Sequence, residues 1–163
     1  MTNRVCLHES VHAVAALALG FDVVCVDVLE YGGLDGHTEV LPPVGWHYVC
    51  GHWRPNLDDP QLYDRVTRWL GWLTAPSFAQ LSFGADTGCV LDHDLAWSLL
   101  AEVEPDEMVQ RRVMAAISEQ MRGLVARYER LIVDLAEVLF RRKRLGRAEL
   151  LDQILTIQAV GHG

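Results

Sequence analysis

His8-Glu9-Ser10-Val11-His12 is a His-Glu-x-x-His run, and it constrains this chain more than any other stretch because its chemistry needs a helix. Residues i and i+4 lie one turn apart on the same helical face. Two imidazoles at that spacing can grip one metal ion while Glu9 projects beside it toward a water molecule. The neighbouring residues predict such a helix, from a cap at Thr2 or Asn3 to a stop at Gly20, with Val11, Val14, Ala15, Leu17 and Ala18 at helical spacing. A fold that uses this run must hold a short, core-facing helix near its start and bring a third ligand to it.

The 163 residues suit a single domain, 1–163, large enough to bury a sizeable core. No segment reaches the roughly 18 uninterrupted apolar residues of a membrane-spanning helix, so a soluble chain without a membrane span is expected. Met1-Thr2-Asn3-Arg4 leads directly into the motif and leaves no room for a removable secretory signal, which predicts a cytoplasmic location. Cys6, Cys25, Cys50 and Cys89 form no Cys-x-x-Cys pair and read as buried reduced thiols. The net charge of −8 disfavours nucleic acid as a partner. The basic run Arg141-Arg142-Lys143-Arg144 reads as a solvated helix end.

After the first helix, Val23-Val24-Cys25-Val26-Asp27-Val28-Leu29 is rich in β-branched residues. The turn formers Gly32, Gly33, Asp35 and Gly36 follow, then His37-Thr38-Glu39-Val40-Leu41, which together predict a hairpin or small sheet. Pro42-Pro43 ends it, and residues 44–60 read as a loop. Helical periodicity then predicts a segment from Gln61 to about Gly84, a short helix after Asp92, and amphipathic segments near 105–122, 123–143 and 147–159. The expected fold is mainly α with a small β-hairpin or sheet: a zincin-like His-Glu-x-x-His helix plus a C-terminal helical bundle.

Zinc at a catalytic site takes three protein ligands and keeps one position for water, so His8 and His12 need a partner. The pattern that continues with Gly and a third His is absent, because Ala15 and Ala18 stand there. Glu30, Glu39, His37, His47, His52, Asp92, His93 and Asp94 are candidates, and spacing does not choose among them. His47, Cys50 and His52 could form a second metal site, though a loop with incidental His is the simpler reading. His37 could reach a substrate carbonyl or be a polar strand-end residue, and Cys89 lies close in sequence to Asp94.

The run Cys6 to Gly20, the strand Val23 to Leu29 and the Gly-rich turn resemble the peptidase domain of the FtsH family of zinc proteases. Leu81-Ser82-Phe83-Gly84, Thr87-Gly88, Asp92-His93-Asp94-Leu95-Ala96 and the tail Leu131 to Leu155 extend the likeness over nearly the whole chain. The resemblance implies zinc held by His8, His12 and Asp94, with Glu9 as general base. Asp92 suits a helix N-cap, which would set Asp94 in the first helical turn, where the dipole favours a carboxylate.

The chain also departs from the family pattern. No G-x-x-x-x-G-K-[ST] loop occurs, so this chain has no ATPase module of its own. Thr74-Ala75-Pro76-Ser77-Phe78-Ala79-Gln80 stands where the family has a small-residue stretch ending in alanine-glutamate, and Val11 replaces a common glycine. The expected activity is cleavage of unfolded or short peptides, with a separate ATPase or adaptor as a possible partner and a homo-oligomer possible. The alternatives are a catalytically weak or inactive metal-stabilised interaction module and a zinc amidohydrolase acting on a non-peptide amide.

Overall fold

The computed structural model describes residues 4–28, 36–49, 52–83 and 88–161, with the backbone alone at 49, 52, 80–83, 88–89 and 159–161. It is mainly helical with a small antiparallel sheet. The described elements run α1 (Arg4–Ala18), β1 (Val23–Asp27), β2 (His37–Val40), β3 (His47–Val49), β4 (His52–Arg54), α2 (Leu62–Thr74), α3 (Pro76–Phe83), α4 (Gly88–Val103), α5 (Glu107–Arg142), β5 (Arg144–Gly146) and α6 (Arg147–Gly161). The chain divides into two compact units, Met1–Leu41 with Leu124–Gly163, and Pro42–Gly123. The chain passes between them twice, at Leu41–Pro42, where Pro42-Pro43 marks the change, and inside α5, where no linker composition does.

In the first unit, α1 ends as its sequence predicts. Gly20 takes a left-handed φ of 80°, its N–H bonds the Leu17 carbonyl at 3.2 Å, and the Phe21 N–H bonds the Ala16 carbonyl at 2.8 Å. This is a Schellman closure, in which glycine supplies the backbone conformation that a Cβ would oppose. The released chain turns into β1, which pairs antiparallel with β2 through Val26↔Thr38 and Asp27↔His37. The expected hairpin is thus present, and a third strand joins it: β5 pairs with β1 through Val26↔Leu145, giving the order β2-β1-β5. Residues 144–146 were expected to lie among closing helices. Lys143 adopts a φ of 69° and stops α5 there, which frees Arg144 to Gly146 to extend.

α1 contacts β1 and β2, and α6 contacts β1 and β5. Val11, Ala13, Ala15, Ala16, Val26, Leu135, Leu139, Leu145 and Leu150 are fully buried. α1 therefore works as a core element, with Cys6, Leu7, Val14 and all of its alanines up to Ala16 withdrawn from water.

In the second unit, the expected loop contains a hairpin, β3 with β4 in the register Tyr48↔Trp53. Its strands are three residues each, too short for the sequence period to reveal. The segment expected from Gln61 to about Gly84 is two helices, because Pro76 has no N–H to continue α2 and instead opens α3. Trp46, Trp69 and Trp72 stack in series, with ring centroids 5.1 and 4.8 Å apart. α5 is one helix where two segments were expected. Asp106 caps it by accepting the Met108 N–H at 2.8 Å, and Gly123 sits in its interior, where one glycine costs only about 1 kcal/mol.

Candidate metal centre

His8 and His12 meet as their spacing requires. Their Nε2 atoms are 3.1 Å apart, and the rings approach edge to face with centroids 4.8 Å apart. Two ligand nitrogens on one tetrahedral zinc, each about 2.0–2.1 Å from it, would be about 3.3 Å apart, so the pair is already near metal-binding geometry. His12 is buried and His8 half-buried, leaving the pair approachable from one side.

Two imidazoles with one carboxylate would form a borderline donor set suited to zinc and to neighbouring divalent metals. Asp92 and Asp94 lie on α4, in the second unit. Asp92 does not cap that helix. The helix begins at Gly88, four residues earlier than a cap at Asp92 would have it, so both aspartates are interior helical residues. Two positions along a helix amount to about 200° of rotation, and side chains so related point to nearly opposite sides. Asp92 is half-buried and Asp94 is exposed.

Glu9 is 6% exposed, and its carboxylate has a specific partner: the Thr38 hydroxyl on β2 lies 2.6 Å from Oε2. The same hydroxyl oxygen is 3.1 Å from the Glu9 carbonyl oxygen. Gly36 closes the other flank. A Cβ there would lie 2.8 Å from Glu9 Cγ, 2.9 Å from Glu9 Oε1 and 2.7 Å from Val5 Cγ1, so only glycine lets the backbone come this near. Neither Thr38 nor Gly36 was singled out from the sequence as a site residue. The signal was there in retrospect: a glycine and then a small hydroxyl at an inward position of the strand that follows the first helix and turn.

His37 is exposed at the start of β2, opposite Asp27. Glu39 is exposed and accepts a hydrogen bond from the Cys25 thiol at 3.6 Å; burial, and then that bond, push the thiol pKa up. His93 is exposed, its ring 6.2 Å from that of Trp97. His47 is exposed on β3, whereas Glu30, Cys50 and the side chains of His52 and Cys89 lie outside the described residues, as do Gly84 and Thr87. Val11, where the family commonly has glycine, is fully buried. Among the described residues no helix is long and apolar enough to cross a membrane.

The chain matches no protein-family model, and no curated protein matches it.

Proposed function

We propose that this chain is a zinc-dependent metallopeptidase of the FtsH type, acting on unfolded or short peptides. The observation that carries the reading is the juxtaposition on α1: two imidazole nitrogens 3.1 Å apart and, next to them in sequence, a carboxylate that is almost fully buried and held by a hydroxyl. A site that only bound metal for stability would gain nothing from a buried acid beside it, and the desolvation of that acid is costly. His8 and His12 would hold the ion, with Asp94, the ligand the family resemblance implies, as the third partner. Zinc, when bound, would lower the pKa of its water far toward neutrality and polarise the scissile carbonyl. Glu9 takes the proton of the attacking water and delivers it to the leaving amine.

β2 supports a peptide substrate in particular. It has β1 as its only neighbour in the described sheet, so its outer edge can receive an extended chain by backbone hydrogen bonds. That mode tolerates many side chains and suits an unfolded or short peptide.

The test is metal analysis together with cleavage of an unfolded casein substrate by the wild type and by Glu9→Gln. The expected result is near-stoichiometric zinc in both and a loss of cleavage of about 10²–10⁴-fold in the variant. Equal inertness of the two proteins, with zinc retained, would leave a metal-stabilised interaction module. Inertness on peptides with turnover of simple amides would leave an amidohydrolase.

A further inference from the structure

The geometry points to Thr38 as a positioning residue that clamps Glu9 to β2, so that the strand expected to receive the peptide also fixes the general base. This inference rests on the peptidase reading and adds to it a residue outside the ligand set. The hydroxyl-to-carboxylate distance of 2.6 Å falls in the range of charge-assisted O–H···O⁻ bonds. Thr38 Oγ1 also lies 3.1 Å from the main-chain carbonyl oxygen of the same glutamate, but its single proton goes to the nearer, charged acceptor. That bond ties the end of the Glu9 side chain to the strand. Gly36 lies on another flank, where an added Cβ would fall 2.8 Å from Glu9 Cγ and 2.9 Å from Oε1. One carboxylate oxygen is consequently tied to the strand, and Oε1 is left to exchange a proton.

Packing alone does not require this residue. Thr38 is 5% exposed, opposite Val26 on β1, at an inward-facing position where valine would fit with the same shape and a strong strand preference. A hydroxyl there instead of a methyl has a carboxylate to bind. Misplacing a reacting group by about 1 Å costs on the order of 10²-fold in rate, so releasing Glu9 from the clamp should be visible in turnover.

The experiment compares Thr38→Val and Thr38→Ser with the wild type, all as purified with zinc. It reads zinc content, kcat and KM on unfolded casein peptides, and the ¹³C resonance of the Glu9 carboxyl carbon, identified by its loss in Glu9→Gln. The expected result for Thr38→Val is unchanged zinc, a kcat lowered by about 10–100-fold with KM within about twofold, and a shifted or broadened Glu9 resonance. Thr38→Ser should restore both kcat and resonance. A Thr38→Val protein with wild-type kcat, or with reduced kcat and an unmoved resonance, overturns the inference, as does one that loses zinc or its fold while the serine variant does too. If the wild type cleaves nothing, the peptidase reading falls; the resonance alone then decides whether Thr38 holds Glu9.

Discussion

Helices α1 and α4 both carry ligand-type side chains, yet they bury them differently. α1 is enclosed from Cys6 to Ala16 except at His8, and its Glu9 is fixed by a hydrogen bond from another element. α4 shows Val90 and Leu91 to water at its start and is buried only from Ala96 onward, on Ala96, Leu99 and Leu100. The lesson concerns spacing. His8 and His12 are one turn apart, so they share a face wherever the helix begins, whereas Asp92 and Asp94 are about 200° apart and at most one can face a given point.

The strongest way to break this comparison is to remove each aspartate in turn. One of Asp92→Ala and Asp94→Ala should weaken zinc binding by about 10²-fold or more and the other by less than about threefold, measured by competition with a chromophoric chelator. Loss in neither would remove α4 from the ligand set. Burial along α4 can be tested next. Leu100→Ala, at 1% exposure, should cost about 2–5 kcal/mol in urea unfolding, while Val90→Ala, at 61%, should stay within about 0.5 kcal/mol.

Smaller effects sharpen the contrast on α1 and α5. The Ser10 hydroxyl is buried and has no hydrogen-bond partner among the described residues, so Ser10→Ala should be neutral or stabilising by up to about 1 kcal/mol, unlike Thr38→Ala, which removes a used hydroxyl. A Cβ on Gly123 meets nothing within 4 Å, so Gly123→Ala should raise stability by about 0.5–1 kcal/mol, read as an increased urea midpoint. The smallest effect is chemical. Burial raises the pKa of Cys6, which lowers its thiolate fraction at neutral pH, so in native protein it should be alkylated by iodoacetamide more slowly than after unfolding, with the rate rising only at pH values above those of an ordinary thiol.

Much of the first unit was legible in the residues. The helical period around His8 and His12, Gly20 as a stop, and the β-branched run at Val23 each encode their own local structure, and α1, β1 and β2 lie where those signals put them. Short elements were not legible. β3, β4 and β5 are three residues each, below the length at which an alternation can be distinguished from chance, and they exist because a partner strand completes their hydrogen bonds. The segments expected near 105–122 and 123–143 are one helix, α5, in which the cost of Gly123 is outweighed by buried side chains on either side, Met121 and Val125 among them.

By itself the sequence determined the imidazole pair, the acid beside it and the helix that carries them, because residues four apart are neighbours through the backbone alone. That Thr38 and Gly36 enclose Glu9 was decided only in three dimensions. Those contacts join residues far apart in the chain, and they depend on which face of β2 turns inward, a quantity set by the packing of whole elements.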